Sequence, residues 1–355
     1  MSKKKILVTG GCGYIGSHTV VKLIENNFEV LIVDDLSNSK KDVLDRIKTI
    51  TGVKPKFLEV DLKDSLLCHD IFRENRDIDA VIHFAAHKAV SESVEQPLKY
   101  YQNNLYALIN TLVSMEQYGI NKLIFSSSAT VYGNPKTLPI TERTETQRPF
   151  SSYGNTKRVA EEIIEDVINA NSEASAISLR YFNPIGAHES GLIGELPSGI
   201  PNNLMPYITQ TAAGVRDKLM VFGNDYSTKD GTAIRDYIHV VDLAEAHVIA
   251  LKRLLDKKQG NPFEIFNLGT GKGYSVLEVI AAFESVIERP LNYEITSRRS
   301  GDVPQLYADI SLSKYELGWK AKRDLLNMID SAWKWEQNIR EKQNQVKNKK
   351  GANSL

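Results

Sequence analysis

A run of closely spaced glycines after the first apolar segment is the feature that most constrains this chain. Residues 5–9 have the β-branched, apolar character of a buried strand. The glycines that follow are Gly10, Gly11, Gly13 and Gly16. The last three match G-x-G-x-x-G, and taking Gly10 in place of Gly11 gives the wider G-x-x-G-x-x-G. Either spacing permits a tight turn in which backbone N–H groups approach a pyrophosphate at a helix N-terminus. The turn predicts a dinucleotide site, provided that a strand precedes it and a helix follows it.

Most of the chain alternates short apolar runs with segments of helical spacing. The predicted strands are 5–9, 30–33, 57–60, 80–84, 123–126, 176–180 and 263–268. The predicted helices are 15–26, 40–49, 64–75, 97–118, 153–170, 275–287 and 322–339. The strand segments are continuously apolar, which is typical of strands covered on both faces. This pattern predicts βαβ units and an α/β fold with a Rossmann-type doubly wound parallel sheet.

The character of the sequence changes near the middle of the chain. Residues 181–236 are dense in Gly, Pro, Asn and Asp, which interrupt regular elements. We therefore expect a nucleotide-binding Rossmann domain over 1–180 and a smaller α/β C-terminal substrate domain over 181–340. Segments at about 237–270 are expected to return to the first domain, and 341–355 to form a polar tail.

Composition excludes several classes of function. The 355 residues carry 44 Lys+Arg and 44 Asp+Glu, so the basic footprint of a nucleic-acid binder is not expected. Cys12 and Cys68 are too few for a disulfide framework or a cysteine zinc site, and no metal is expected. Neither a secretory signal nor an apolar run long enough to span a bilayer is recognisable. We therefore expect a cytoplasmic protein that binds neither nucleic acid nor membranes.

An acidic residue follows the second predicted strand. Asp34 comes directly after the run 30–33 and lies beyond Gly16 at the spacing expected of a dinucleotide-binding unit. A carboxylate there can accept hydrogen bonds from ribose hydroxyls and repels a 2′-phosphate. The expected cofactor is therefore NAD rather than NADP.

A Tyr and a Lys four residues apart on one helical face can form a proton-transfer pair. The pattern occurs at Tyr118–Lys122, Tyr132–Lys136 and Tyr153–Lys157. The first pair runs through a glycine into a strand and the second spans a proline, so neither fits a continuous helix. Only Tyr153 and Lys157 lie in a predicted helix. We expect the Lys157 ammonium to favour the phenolate and to lower the pKa of Tyr153 toward neutrality.

A hydroxyl donor is expected beside this pair. Ser126, Ser127 and Ser128 end a predicted parallel strand, and ligands bind outside the carboxyl ends of such strands. We favour Ser128 as the donor, although its position in the sequence does not separate it from Ser126.

Several stretches together resemble a known family. They are 9–18, 83–90, 126–133, the Tyr153 and Lys157 pair, 180–184, 200–206, 231–239 and 299–302. On these motifs the chain resembles the extended short-chain dehydrogenase/reductase family over nearly its whole length, and within it the UDP-hexose 4-epimerases. The resemblance implies an NAD-dependent isomerase that interconverts UDP-glucose and UDP-galactose by inversion at sugar C4. It implies a transient 4-keto sugar and a bound NAD that is regenerated at each turnover.

The resemblance also implies the roles of individual residues. Tyr153 would be the proton acceptor, Ser128 would share the hydrogen bond to the reacting oxygen, and Lys157 would hold the nicotinamide ribose. The implied cofactor-binding residues are Gly10, Gly13, Tyr14, Ile15, Gly16, Asp34, Asn38, Asp61, Leu62, Phe84, Ala85, Lys88, Asn103, Ser126, Tyr153, Lys157 and Tyr181. The implied substrate-binding residues are Ser128, Asn183, Asn203, Leu204, Arg235, Tyr237, Arg299, Asp302 and Leu306.

Leu306 bears on the choice of sugar. The resemblance associates a bulky tyrosine at this position with exclusion of N-acetylated sugars, and smaller residues with their admission. Leu306 is intermediate in size, so we hypothesise that UDP-GlcNAc and UDP-GalNAc are also turned over.

Three alternative functions use the same scaffold or cofactor. A nucleotide-sugar 4,6-dehydratase needs a carboxyl acid–base pair after the catalytic strand, where this chain has Ala129 and Thr130. A plain dehydrogenase would release NADH at each turnover. A non-enzymatic dinucleotide sensor would not require Ser128, Tyr153 and Lys157.

The resemblance finally implies a homodimer formed through helices of the nucleotide-binding domain. The predicted helices 97–118 and 153–170 are apolar enough for such an interface. They could equally pack only on the sheet.

Overall fold

The structure is a computed structural model that describes residues 3–197, 199–299 and 301–352. Its strands are β1 (Lys5–Thr9), β2 (Glu29–Asp34), β3 (Lys56–Glu59), β4 (Ile78–His83), β5 (Lys122–Ser128), β6 (Ser175–Tyr181), β7 (Asn183–Ile185), β8 (Leu219–Phe222), β9 (Ile234–His239), β10 (Phe263–Leu268), β11 (Gly273–Ser275), β12 (Tyr293–Thr296) and β13 (Gln305–Leu306). Its α-helices are α1 (Tyr14–Glu25), α2 (Val43–Thr51), α3 (Ser65–Glu74), α4 (Val90–Glu95), α5 (Pro97–Gln117), α6 (Ser152–Ala170), α7 (Leu204–Ala212), α8 (Val240–Leu255), α9 (Val276–Ile287), α10 (Ser311–Tyr315) and α11 (Leu325–Ala352). A 3₁₀ helix, Ala129–Tyr132, follows β5.

The central sheet is parallel throughout its described strands. Seven strands of the described ranges lie in the order β3–β2–β1–β4–β5–β6–β10. The chain builds from β1 to β3 toward one edge and then places β4 on the other side of β1. Such a reversal leaves a crevice at the carboxyl ends of the two strands where it occurs. The predicted Rossmann-type doubly wound sheet is confirmed.

Alternation of side chains along each strand fills two separate cores. In β1, Ile6 and Val8 lie in a core with residues of α1, α2 and α8. Leu7 lies in the other core, with residues of α3, α5 and α6. All three side chains are fully buried. Because helices cover both faces of the sheet, successive strand positions are apolar, which explains the continuous apolar runs in the sequence.

A second, smaller sheet is built around β9. This strand pairs in parallel with β7 and β13 and antiparallel with β11. The strands β8 and β12 form a separate parallel pair, and residues of α7, α9 and α11 complete the core of this region. The buried carboxylate of Asp236 in β9 accepts hydrogen bonds from the backbone N–H groups of Thr270, Gly271 and Ala308. These bonds join segments that are far apart in the sequence.

Within the described ranges, the helices differ from the sequence-based prediction at α4, α7, α8 and α10, which were not predicted, and at the end of α11. Helix α8 was missed although Glu245, Lys252 and Arg253 give it a polar side, because its other positions are largely apolar and buried. Helix α8 packs against α1. The strand that follows it, β10, was predicted over 263–268 and pairs with β6 at the edge of the large sheet. Helix α11 continues to Ala352, through most of the stretch that was expected to be a tail. None of the helices in the described ranges is both long and apolar enough to cross a membrane.

A buried ion pair joins α6 to β6. Arg180 Nη2 donates to Glu161 Oε2 at 2.7 Å, and Ser178 Oγ donates to Glu161 Oε1 at 2.7 Å. The side chains of Arg180 and Glu161 are only 5% and 6% exposed. The same helix carries a second pair, Arg158–Glu162, with a nitrogen–oxygen distance of 2.5 Å and a glutamate that is 56% exposed. Glu161 accepts several hydrogen bonds from Arg180 and one from Ser178, whereas Glu162 accepts a single bond from Arg158, so the two pairs differ in both burial and hydrogen bonding.

We predict that Glu161→Ala lowers the free energy of unfolding by about 3–5 kcal/mol, because it leaves the Arg180 guanidinium buried without its counter-charge. The matched substitution Glu162→Ala should lower it by about 1 kcal/mol or less, because water replaces the lost partner. Urea unfolding followed by circular dichroism measures both values. Equal losses in the two variants would contradict the assignment of Glu161 as an integral part of the core.

Candidate active site

The glycine turn joins β1 to α1 through an approach of backbone atoms that only glycine allows. Gly10 has a φ of +67°, and a Cβ there would lie 2.8 Å from the backbone nitrogen of Ala85. A Cβ on Gly16 would lie 2.3 Å from the carbonyl oxygen of Gly10. Helix α1 begins after Gly13 with no side-chain cap and no acidic residue in its first turn. Its first N–H groups and the positive end of its dipole therefore suit a phosphate group.

Asp34 ends β2 beside this turn and is almost fully buried. One of its oxygens accepts hydrogen bonds from Leu36 N at 2.9 Å and Ser39 Oγ at 2.8 Å, and the other accepts from Cys12 N at 2.9 Å. Burial raises the pKa of Asp34 above its ordinary value, against the effect of these three hydrogen bonds. A carboxylate offers about four acceptor positions, so Asp34 retains capacity for a further hydroxyl donor.

A cleft of about 1130 Å³ opens at the carboxyl ends of the central strands. Every residue expected to contact the cofactor lines it, from Gly10, Gly13 and Gly16 at one end to Tyr153, Lys157 and Tyr181 at the other. The lining thus combines a phosphate cradle, an acidic ribose site and an aromatic and hydroxyl-bearing end. This set of donors and acceptors fits a dinucleotide.

The proposed proton-transfer pair lies at the start of α6. Ser151 caps this helix, since its Oγ accepts a hydrogen bond from Gly154 N at 3.1 Å. Tyr153 and Lys157 follow one helical turn apart, as the spacing predicted. Lys157 Nζ donates to the carbonyl oxygen of Ser126 at 2.5 Å and lies 4.9 Å from the centre of the Phe125 ring. The helix thus presents both side chains to the end of β5.

The three serines at the end of β5 have different surroundings. The hydroxyl of Ser128 lies near that of Tyr153, and the hydroxyl of Ser126 lies near that of Tyr181, which contacts His247 Nε2 at 2.5 Å. Ser127 is buried, and its hydroxyl has no hydrogen-bond partner among the described residues. The structure therefore places Ser128, the residue favoured from the sequence, beside Tyr153.

The pKa directions in this site correct one expectation. Burial raises the pKa of Tyr153 above its ordinary value, and the nearby Ser128 hydroxyl opposes the rise only in part. Burial also lowers the pKa of Lys157 to about 7, against the field of Glu161. The expectation that Lys157 lowers the pKa of Tyr153 is wrong for this structure. The physical reason is that both groups are desolvated and the ammonium is directed to the Ser126 carbonyl oxygen.

Four of the nine expected substrate residues lie on the small sheet. Asn183 is opposite Tyr237 in the pairing of β7 with β9, and Leu306 is opposite Arg235 in the pairing of β13 with β9. Leu306 packs in one apolar cluster with Ala129, which follows Ser128, and Phe182, which precedes Asn183. The small sheet is thereby joined to the end of β5.

Two arginines share a carboxylate in this group. Asp302 lies 3.5 Å from Arg235 and 2.9 Å from Arg299, measured between the nearest nitrogen and oxygen atoms. Paired guanidinium groups can bind a diphosphate through bidentate hydrogen bonds. Asn203, at the start of α7 next to Leu204, lines the large cleft. Within the described ranges, the other expected substrate residues are not part of that lining.

Sequence reasoning missed two polar residues of the site. Thr130 Oγ1 donates to Ser128 Oγ at 3.0 Å, and the Ser-x-Thr spacing at a strand end was a signal that could have suggested it. Glu195 accepts hydrogen bonds from Lys88 and Asn203, two residues that were expected in the site. It lies in the irregular segment after β7, where no periodicity distinguishes one polar residue from another.

Comparisons with known proteins agree with this geometry. A family model described as GDP-mannose 4,6 dehydratase matches residues 7–332. The UDP-glucose 4-epimerase of Bacillus subtilis (strain 168) is 53% identical over 334 residues, which are 93% of this chain and 96% of that protein.

Two solved structures of UDP-glucose 4-epimerases show the same fold. That from Stenotrophomonas maltophila, with bound NAD and formylated UDP-arabinopyranose, is 47% identical, has a TM-score of 0.91, and covers 95% of this chain and 99% of its own. That from Bifidobacterium longum, in complex with NAD+ and UDP, is 47% identical, has a TM-score of 0.90, and covers 94% of this chain and 98% of its own. The resemblance found in the motifs is confirmed over nearly the whole chain. The chain therefore belongs to the UDP-glucose 4-epimerase family of extended short-chain dehydrogenases/reductases.

Proposed function

We propose that this protein interconverts UDP-glucose and UDP-galactose by inverting the configuration at sugar C4, with NAD as a bound cofactor. The observation that carries the proposal is that Tyr153, with Ser128 beside it, lies in a cleft that begins at a phosphate cradle. The 4-epimerase relatives, at about half identity over nearly the full chain, support the same reaction.

The cleft fits NAD in its charge and its shape. The pyrophosphate would lie at the glycine turn, where the lack of Cβ atoms at Gly10 and Gly16 lets the backbone close tightly and leaves the first N–H groups of α1 open to it. Asp34 would accept from the adenosine ribose, and Lys157 would donate to the nicotinamide ribose. When bound, NAD supplies the reversible oxidation of C4 that passes through a transient 4-keto sugar.

The side chains of the protein would transfer the proton and position the sugar. As the tyrosinate, Tyr153 Oη would take the proton of the sugar 4-hydroxyl while C4 gives up its hydride to the bound cofactor, and it would return the proton as C4 regains the hydride on its other face. Ser128 Oγ, which lies near Tyr153, would hold the same reacting oxygen. Lys157, one helical turn away, donates to the Ser126 carbonyl oxygen and would also hold the nicotinamide ribose. Arg235 and Arg299 would hold the diphosphate, so the hexose can rotate while the nucleotide stays bound.

A coupled assay separates this function from its alternatives. Purified protein without added NAD should convert UDP-galactose to UDP-glucose, and the reverse, with no accumulation of NADH. A requirement for stoichiometric NAD would favour a dehydrogenase, and a 4-keto-6-deoxy product would favour the dehydratase named by the family model. The residues after Ser128 argue against dehydration, since Ala129 and Thr130 carry no carboxyl group.

We predict that Tyr153→Phe lowers kcat for UDP-galactose by about 10²–10⁴-fold while the protein still purifies with NAD, because only the proton acceptor is removed. Tyr118→Phe is the matched control, because Tyr118 also precedes a lysine by four residues, and it bonds to His69 at 2.8 Å outside the cleft. That variant should retain the wild-type rate. An unchanged rate in Tyr153→Phe would place the base elsewhere.

We further propose that the N-acetylated pair, UDP-GlcNAc and UDP-GalNAc, is also accepted. Leu306 supports this, because it is smaller than tyrosine and packs at the edge of the apolar cluster next to Ser128. Leu306→Tyr should lower kcat/KM for UDP-GlcNAc about tenfold or more, while kcat/KM for UDP-glucose in the same variant changes much less. Wild-type rates on the acetylated pair that are as poor as those of the variant would refute the proposal.

We also propose a homodimer that pairs α5 of two copies. This helix exposes Tyr106, Ile109 and Val113 at helical spacing, which indicates an apolar stripe facing away from the sheet. Val113→Glu should shift the protein to monomers in sedimentation velocity. Val53→Glu, at an exposed site outside α5, is the control and should leave the dimer intact. Monomeric wild type, or a dimer resistant to Val113→Glu, would exclude this interface.

The two cysteines bear on the cellular compartment of the protein. Cys12 and Cys68 are both buried free thiols. Burial raises the pKa of each thiol above its ordinary value, which keeps the reactive thiolate scarce. These features suit a reducing compartment, and we propose the cytoplasm.

A further inference from the structure

One carboxylate connects the two halves of the cleft. Glu195 lies in the segment between β7 and α7, and its side chain is 10% exposed. Its Oε1 atom accepts a hydrogen bond from Lys88 Nζ at 2.6 Å and another from Asn203 Nδ2 at 2.7 Å. Lys88 follows β4 of the central sheet, whereas Asn203 precedes α7 of the smaller region. All three residues line the large cleft.

The bond to Glu195 explains an unusual feature of Asn203. Asn203 is the N-cap residue of α7, a position where an asparagine side chain ordinarily accepts from the first turn of its own helix. Here its side chain makes no capping bond. The third residue of the helix, Pro206, has no N–H to offer, and the amide nitrogen of Asn203 donates to Glu195 instead. Glu195 therefore holds the Asn203 side chain away from the helix end.

The same bond directs Lys88. Its ammonium carries three N–H donors, of which Glu195 takes one, and it lies 5.7 Å from the centre of the Tyr14 ring. The segment that carries Glu195 is held by hydrogen bonds at its start and at Glu195 itself. Tyr14 OH donates to Gly186 O at 2.6 Å, and Trp335 Nε1 donates to the carbonyl oxygen of Glu195 at 2.9 Å. The carboxylate thus has a defined place from which to orient its two partners.

The negative charge of Glu195 affects how the cleft can bind anionic ligands. An unpaired carboxylate would repel the diphosphates of both proposed ligands, and the ion pair with Lys88 offsets that repulsion. Because Lys88 and Asn203 donate to the same oxygen atom, Oε1, a shift of Glu195 would move the acceptor of both residues.

We propose that Glu195 is a positioning residue that couples binding of the UDP-sugar, through Asn203, to retention of the dinucleotide, through Lys88. This inference rests on the proposed function for the identity of the two ligands. In the protein with both residues in place, UDP bound at the substrate side slows release of NAD from the cofactor side. Coupling between two ligands is reciprocal, so bound NAD also tightens binding of UDP.

The test uses the full chain with bound NAD and compares Glu195→Ala with the isosteric Glu195→Gln. Glutamine removes the charge but keeps an oxygen that can accept from both partners, whereas alanine removes the acceptor and frees Asn203 to cap α7. The KM for UDP-galactose should be about tenfold higher in Glu195→Ala than in Glu195→Gln, with kcat within about twofold in both. Glu189→Gln, an exposed site in the same segment, should match the wild type.

The coupling itself is measured by loading each protein with labelled NAD and following its release into excess unlabelled NAD, with and without UDP. UDP should slow release at least about fivefold in the wild type and in Glu189→Gln, and have little effect in Glu195→Ala. Lys88→Met removes the other end of the bridge and should lose the same UDP effect, which keeps the test valid where Glu195→Ala fails to fold.

Two results would overturn the inference. One is an equal slowing of NAD release by UDP in the wild type, Glu195→Ala and Lys88→Met. The other is a fall in kcat at constant KM in Glu195→Ala, which would indicate a general structural role. Failure of the proposed function is separable, because the release experiment needs only binding of UDP and NAD. A wild type that couples the two ligands but does not epimerise would leave this inference standing.

Discussion

The close approach of backbone atoms at Gly10 and Gly16 is the contact on which the geometry of the cleft depends. Because a Cβ on Gly16 would lie 2.3 Å from the Gly10 carbonyl oxygen, α1 can start this close to β1 only with glycine at that position. The contact places the N-terminus of α1 where the strand order reverses, and α1 then packs on α8. The phosphate cradle and the packing of α1 against α8 therefore both require glycine at this turn.

Successive side chains of β5 point to opposite faces of the sheet, so the three serines at its end lie in different surroundings. Ile124 lies in the core beneath α1 and α8, and Ser126 and Ser128 follow on the same side of the strand. Ser127 has the opposite parity and is buried. The register with β6, in which Ser128 is opposite Tyr181, keeps this alternation in place. A shift of one residue would turn Ser128 away from Tyr153, so the site depends on the same apolar pattern that builds the sheet.

Local and periodic features of the sequence were predictable, and features assembled from distant segments were not. The glycine turn, Asp34 and the Tyr153–Lys157 helix follow from short spacings, and the structure has each of them at the cleft. Helix α8 is apolar and buried at most positions, so its narrow polar side is a weak signal in the sequence. The small sheet depends on hydrogen bonds that Asp236 accepts from loops that follow it by more than 30 residues. The contacts of Glu195 could not be predicted, because they form only when the fold brings Lys88 and Asn203 to the same carboxylate oxygen.

The charges buried along α6 determine which group can change its protonation near neutral pH. Glu161 accepts hydrogen bonds from Arg180 at 2.7 and 3.0 Å, so its negative charge is largely matched before it acts on Lys157, one helical turn away. Burial therefore outweighs the field of Glu161, and the pKa of Lys157 falls to about 7. Tyr153 keeps its proton more firmly than a tyrosine in water, because burial raises its pKa. Both shifts come mainly from burial, which disfavours the charged form of each group. The balance between Glu161 and Arg180, a contact made in the core and outside the cleft, therefore acts on the charge of Lys157 and not on Tyr153 directly.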